Sequence, residues 1–248
     1  MVAQVMAEPS EQIQVQLVCP IYNEGENVRV LYRSLAEVGA PFDRLTFFYD
    51  IDDDTSLPFI AEMRQDDPRV VAEKNQLGQG VVQALRWAFS RAQAGPVIVL
   101  MGDNSDKLSI IPDMLTLWRE GSIVVSPSRY MPGGVQHGGP PLKTFLSSLA
   151  GRILYFCGFP TSDATNNFKL YDGAWLAKQQ IESQGGFEIA LELCYKAYRD
   201  DKRISQLPTE WWDRELGESR FKMWEWIPRY LSWYLPTLLL LARKLIRR

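Results

Sequence analysis

Carboxylates and amides in this chain stand where apolar runs end, the places at which a sheet offers side chains to a ligand. Gln14–Cys19 leads into Pro20-Ile21-Tyr22-Asn23-Glu24. Leu45–Tyr49 leads into Asp50-Ile51-Asp52-Asp53-Asp54-Thr55. Pro96–Met101 leads into Gly102-Asp103-Asn104-Ser105-Asp106, and Ser122–Pro127 into Ser128-Arg129-Tyr130. Asp and Asn at such positions can hold the edges of a base or a ribose. A carboxylate beside a diphosphate naturally shares a divalent cation, Mg²⁺ or Mn²⁺, because these ions take oxygen ligands. Arginine clamps phosphate oxygens through its planar fork. The set therefore points to a nucleoside diphosphate bound with a metal. A lone loop acid more often only meets solvent, but three acid-bearing strand ends in succession outweigh that reading. The run Asp52–Asp54 is still expected to leave at least one acid in water.

The elements that must position these residues alternate in type. Between the apolar runs lie helical patterns at Gly25–Val38, Leu57–Gln65, Gly80–Ala94 and Ile110–Arg119, with a short strand candidate at Val70–Ala72. Strands alternating with helices from residue 13 to 130 predict an α/β domain with a mostly parallel sheet. The continuous apolar run PVIVLM suits a central parallel strand, buried on both faces. In such folds ligands bind outside the carboxyl ends of the strands, where all four polar clusters fall. Gly133–Pro141 reads as a loop long enough to form a lid, with His137 at the surface. Helices are expected near 143–157, 172–183 and 187–199, and a strand near 203–208.

Several function classes are excluded. One histidine in the chain rules out a site built from two. Three cysteines without a CxxC pair argue against a disulfide framework or a zinc knuckle, and a reducing compartment is the simplest setting. Cys19 is expected to be a buried structural thiol. Neither a GxxxxGK[ST] loop nor a GxSxG elbow occurs, and the GxG at Gly78–Gly80 does not follow the first strand, so the dinucleotide motif is weak. The first twelve residues have no basic segment and no long apolar stretch, and read as a disordered lead-in rather than a secretory signal.

The end of the chain differs from the body. From Ser219 onward seven basic residues face the single acid Glu225, so this segment carries +6 while the whole chain carries −3. Trp and Tyr cluster before the apolar run Tyr230–Ala242, which RKLIRR follows. At 13 residues with Pro236 inside, the run is short for a span, which needs about 20. Aromatic, apolar and basic residues in that order suit an interfacial helix on anionic lipid. Ile227, Leu231, Tyr234, Leu235 and Leu238 fall on one helical face. Packing of the helix on its own domain is the competing reading. Nucleic acid is disfavoured, because the body is acidic and the aromatics adjoin leucines instead of alternating with cations. The expected organisation is a lead-in over 1–12, one domain over 13–222 and an interfacial helical tail over 223–248.

With these residues in hand, the chain resembles family-2 glycosyltransferases of the GT-A fold, in the branch that uses dolichyl or polyprenyl phosphate. The similarity runs through CPIYNEGENV (19–28), YDIDDDTS (49–56), LMGDNSD (100–106), SRYMPGG (128–134), SDATNNFKLYD (162–172), GGFEIALEL (185–193) and DRELGESRF (213–221), covering roughly 14–235. The resemblance implies a Rossmann-like GT-A domain, a GDP- or UDP-sugar donor, a polyprenyl phosphate acceptor, and Mg²⁺ or Mn²⁺. It also implies a peripheral place on the cytoplasmic face of a membrane, with a membrane-protein partner as a further option for the tail. Pro20, Tyr22, Asn23 and Glu24 would line the nucleotide pocket, with Asp50 or Asp52 on base or ribose. Asp103 would ligate the metal, Arg129 would face the diphosphate or the acceptor phosphate, and Arg214 and Arg220 would bind phosphate near the membrane.

The chain also departs from the family pattern. Met101 stands where the first Asp of the D-x-D motif is expected, leaving Asp103, with help from Asp106, for the metal. Ser147-Ser148 replaces Ser-Arg, leaving Lys143 and Arg152 as basic candidates. Asn166-Asn167 replaces Ser-Gly, and Arg220 replaces Lys. A phosphate acceptor is already a nucleophile and needs no base, only cations that offset its repulsion from the donor. The expected reaction is inverting transfer of a hexose, mannose or glucose, to the lipid phosphate. Two alternatives stay open: a hydroxyl acceptor on a glycolipid or saccharide, served by Glu188 or Asp163 as base, and a silent nucleotide-sugar binder, suggested by Met101. For Asp163 a supporting role is preferred. Trp211 and Trp212 are expected in a core or an interface, with stacking on a sugar or a prenyl chain as the alternative.

Overall fold

The structure is a computed structural model that describes residues 13–213 and 223–246. In chain order the elements are β1 (Gln16–Pro20), α1 (Asn27–Glu37), β2 (Arg44–Tyr49), α2 (Leu57–Asp66), β3 (Val70–Lys74), α3 (Val81–Ser90), β4 (Pro96–Val99), α4 (Ile111–Arg119) and β5 (Val124–Ser128). Then come β6 (Val135–His137), α5 (Pro141–Phe156), β7 (Lys169–Asp172), α6 (Gly173–Leu176), α7 (Ile189–Arg199), β8 (Ile204–Pro208), β9 (Glu210–Trp212) and α8 (Met223–Ile246). Among the described residues the main sheet has seven strands in the order β3-β2-β1-β4-β7-β5-β8. β1 pairs in parallel with β2 and β4, with Leu17 opposite Leu45 and Ile98, and β5 pairs in parallel with β8. Among the described residues β7 alone runs antiparallel in this sheet, between β4 and β5.

The sheet is covered on both faces, so its strands read as apolar runs. Leu17, Leu45, Phe47, Ile98 and Leu170 pack against α1, α2 and α4 residues such as Leu31, Ile60 and Met114. Val18, Val97, Val99 and Tyr171 pack with Leu85, Phe89, Leu193 and Cys194 on the other face. Burying each such side chain stabilises the fold by about 1.5–3 kcal/mol.

Three expectations change. The helix expected over 172–183 is only the short α6, and the residues just before it form β7. β7 was hidden because Lys169 and Asp172 interrupt its apolar pattern. Yet Lys169 is fully buried, its ammonium donating to the Asp163 carbonyl at 2.9 Å. The segment expected as the loop 133–141 contains β6, paired in parallel with β9 in a separate two-stranded sheet. The stripe on the C-terminal helix splits. Tyr230, Trp233, Tyr234, Leu238 and Leu241 pack on the domain, while Leu231, Leu235 and Leu239 face outward. Among the described residues no helix is long and apolar enough to cross a membrane.

Candidate active site

The strand order reverses between β1 and β4, because the crossover from β1 to β2 goes one way along the sheet and β4 lies on the other side. A crevice opens at such a switch point. The two segments that leave β1 and β4 there are 21–24 and 100–106.

Local hydrogen bonds fix the shape of both. Asn23 and Asn104 hold left-handed backbones, at φ 55° and 57°. Asn is among the few residues that tolerate this region. The Asn23 amide donates to Asp54 Oδ2 at 2.9 Å, and the Asn23 side chain accepts from Thr55 N at 3.1 Å. Asp54 is thus a buried tie between the ends of β1 and β2, a role that its place in the acidic run did not reveal. Asn104 Nδ2 donates to the Asn27 carbonyl, and Ser105 N donates to Asp103 Oδ1 at 3.2 Å. Gly102 lets the two loops meet, since a Cβ there would stand 3.1 Å from Glu24 Cγ. Glu24 and Asp103 both raise the pKa of the buried Cys19 thiol, after burial itself, so Cys19 is an inert structural thiol and both carboxylates lie at its end of β1.

Asp106 has the most unusual environment. Its Oδ1 is shut off from solvent and has no hydrogen-bond partner among the described residues. Burial, then the Asp103 carboxylate, pushes its pKa up to about 8, against a smaller opposing pull from Arg129. Two neighbouring carboxylates, one with an orphaned buried oxygen, form a donor set that fits a hard divalent cation. Among the described residues no group of three His, Cys, Asp or Glu side chains could hold a metal. The remaining ligands would be donor phosphate oxygens and water, the usual arrangement for Mg²⁺.

Arg129 is placed differently from the expectation. Its Nε and Nη2 donate to Asp163 Oδ2 and Oδ1 at 2.7 and 3.0 Å, and its backbone N–H donates to the same carboxylate at 3.1 Å. Asp163 is fully buried and the Arg129 side chain 13% exposed. Burial disfavours the Asp163 anion, but Arg129 and Lys169 outweigh it and hold its pKa below the usual range. The guanidinium also lies 4.9 Å from the Tyr130 ring and 6.0 Å from that of Trp211. Arg129 therefore joins the end of β5 to the 161–168 segment, close to Asp106.

The other predicted residues fall as follows. Pro20 is the buried last residue of β1, and Tyr22 is 38% exposed beyond it. Asp50 accepts from Gly80 N at 2.7 Å and Asn75 Nδ2 at 2.9 Å, so it shapes the glycine-containing turn before α3. Asp52 is exposed and pairs with Lys74. Lys143 lies half-buried on the first turn of α5. Arg214 and Arg220 lie outside the described residues. Glu188, a candidate base, accepts three backbone N–H groups, from Gln184, Gly185 and Gly186.

A second layer closes over this floor. Trp212 N donates to the Ser105 carbonyl at 2.9 Å, Asp106 bridges Trp211, and Lys107 pairs with Glu210. His137 stacks on Trp212 with ring centroids 5.2 Å apart. The expected lid is pinned: Tyr130 Oη donates to Ser147 Oγ at 2.9 Å, and Gln136 Nε2 to Thr144 Oγ1 at 2.8 Å. Lys169 and Tyr230 also reach the site, beyond the expected residues. Tyr230 reaches the site from α8, and burial followed by the Glu188 charge raises its phenol pKa, with Arg129 opposing. Lys169 sits inside the SDATNNFKLYD segment and Tyr230 opens the apolar run of the tail, but nothing in either pattern marks the residue as buried beside Asp163 and Arg129.

Residues 17–178 match the model of glycosyl transferase family 2. The chain is 28% identical over 220 residues to undecaprenyl-phosphate mannosyltransferase of Micrococcus luteus, covering 84% of this chain and 87% of that protein. It is 24% identical to polyprenol monophosphomannose synthase of Mycolicibacterium smegmatis, over 85% of each chain. Its fold is similar to that of glucosyl-3-phosphoglycerate synthase of Mycobacterium tuberculosis, solved with Mn²⁺ and UDP-glucose. The TM-score is 0.63 at 15% identity, over 93% of this chain and 79% of that one. The seven-stranded GT-A sheet, the site at its switch point and the family match together establish that the chain belongs to glycosyl transferase family 2 and is a glycosyltransferase.

Proposed function

We propose that this enzyme transfers a hexose, mannose or glucose, from a GDP- or UDP-sugar to a polyprenyl phosphate at the cytoplasmic face of a membrane, with inversion at the anomeric carbon. The named activities of the Micrococcus and Mycolicibacterium relatives support the acceptor class. The observation that carries the choice is the state of the two carboxylates offered as bases. Glu188 is held by three backbone N–H groups and Asp163 by Arg129. A hydroxyl acceptor would need a base; a phosphate oxygen attacks as an anion without one.

Pro20, Tyr22, Asn23 and Glu24 line the donor side, with Asp52 near base or ribose and Asp50 holding the 78–80 turn. Asp103 and Asp106 would hold Mg²⁺ or Mn²⁺. Bound there, the cation supplies positive charge to the diphosphate that leaves. Arg129 acts as a positioning residue, fixed by Asp163, that keeps the end of β5 and the metal loop in register. Lys143, Arg214 and Arg220 receive the acceptor phosphate and offset its repulsion from the donor.

An acceptor panel tests the reading. Labelled donor is offered to polyprenyl phosphate, to the matching polyprenol and to diacylglycerol. Label in the phosphate alone supports it, and label in either alcohol sinks it. Donor binding without transfer to any acceptor would favour the silent binder.

A further inference from the structure

Helix α5 is amphipathic in the wrong sense for a helix in water. Its inward side is polar over the first turns, where Ser147 Oγ accepts from Tyr130 and Thr144 accepts from Gln136, and apolar at Leu154, which joins the core. Gly151 packs so closely that a Cβ would meet the Ser162 carbonyl oxygen at 2.1 Å. Its outward side carries Leu142, Phe145, Leu146, Leu149, Ile153 and Phe156, at helical spacing, with Phe145 61% and Phe156 85% exposed. A soluble surface helix carries the opposite arrangement. Contiguous exposed apolar patches of this kind mark a docking face.

The patch does not stand alone. α8 lies against α5, with Tyr234 Oη donating to the Ala150 carbonyl at 3.1 Å. Its own outward leucines, Leu231, Leu235 and Leu239, are exposed too. The charge on the two helices has one sign. Pro141–Phe156 contains Lys143 and Arg152 and no acid, and α8 contains Arg229, Arg243 and Lys244 against Glu225, with Lys244 paired to Asp201 of the body. An apolar stripe bordered by cations complements an anionic lipid surface, where acyl chains take the apolar side chains and headgroups the cations.

We propose that α5 and α8 together form a two-helix face that docks on an anionic lipid surface, so that membrane contact is not made by the C-terminal helix alone. Because the inner side of α5 is hydrogen-bonded to the loop after β5, docking sets that loop, and Arg129 beside it, at the height of the headgroups. The proposal deepens the lipid-acceptor reading above, and its first measurement does not depend on that reading.

The full chain is sedimented with phosphatidylcholine vesicles, with and without about one-third phosphatidylglycerol. Wild type should bind the anionic vesicles and largely ignore the neutral ones. Phe145→Ser/Leu149→Ser should weaken binding at least about tenfold, since two inserted apolar side chains are lost. Leu235→Ser/Leu239→Ser should weaken it comparably, and circular dichroism melts should show both variants folded. The α5 variant should keep turnover on a short, detergent-dispersed acceptor and lose it on acceptor embedded in vesicles. Unchanged vesicle binding by a folded α5 variant would overturn the proposal. So would equal binding to neutral vesicles, or a stable dimer that binds no vesicle. Vesicle binding without transfer by the wild type would count against the lipid-acceptor reading and leave the docking face standing.

Discussion

Asp163→Asn is the substitution whose cost the structure defines best. The carboxylate is fully buried, takes two guanidinium hydrogen bonds from Arg129, and lies in the field of the buried Lys169 ammonium. Neutralising it leaves two cations in a region closed to water. Breaking one side of a buried pair costs about 3–5 kcal/mol. For a chain of this size about 1 kcal/mol moves the melting point by 2–4 °C, so Asp163→Asn should melt about 6–20 °C below wild type. Arg129→Met should cost less, because Lys169 remains to offset the stranded Asp163. The double variant should cost less than the two single costs combined, with a coupling of about 1–3 kcal/mol. The assay is thermal unfolding of all four proteins by circular dichroism. A melting point for Asp163→Asn within about 2 °C of wild type would refute the buried-pair account, as would strict additivity in the cycle.

Other perturbations probe separate parts of the account. Mn²⁺ at about 100 times its Kd should raise the wild-type melting point by about 5–11 °C, and should leave Asp106→Asn nearly unmoved; an equal rise in both would remove Asp106 from the cation site. Asp67 is held at a pKa of about 2, chiefly by its hydrogen bonds from Arg69. Its contribution is present above the unfolded value of about 3.9 and disappears as pH falls towards 2. The melting-point gap between wild type and Asp67→Asn should therefore close between about pH 4 and pH 2, and a constant gap would contradict the assignment. Gly151→Ala forces a methyl group into the Ser162 carbonyl, and should destabilise by about 2 kcal/mol or more in a denaturant melt. With a thiol reagent under native conditions, exposed Cys157 should react while Cys19 and Cys194 stay protected until unfolding.

The sequence made the parallel half of the sheet legible, because strands buried on both faces must be apolar throughout, as PVIVLM and LTFFY are. It also placed Asp103 and the 20–24 segment at one crevice, since polar residues that follow a buried strand emerge at its carboxyl end. Tertiary compensation stayed hidden. A buried lysine in β7 is tolerable because the Asp163 carbonyl accepts a hydrogen bond from its ammonium and the Asp163 carboxylate lies alongside. Arg129 read as a phosphate clamp, because the residue holding its fork is 34 positions away. In the acidic run after β2 the pattern did not mark which acid is buried, and only folding separates buried Asp54 from exposed Asp52 and Asp53. The stripe on α8 was visible in part, but a helix between a core and a lipid surface is apolar on two sides, and periodicity alone does not assign them.

The proposed activity is sugar transfer to a lipid phosphate at the Asp103 loop. The most direct test measures label passing from a GDP- or UDP-sugar into polyprenyl phosphate, with wild type and Asp103→Asn assayed side by side in Mn²⁺. Lipid-linked label is expected with one donor, with a fall of about 100-fold or more in the variant. Full turnover by Asp103→Asn, or label that never reaches the lipid phosphate, would contradict it.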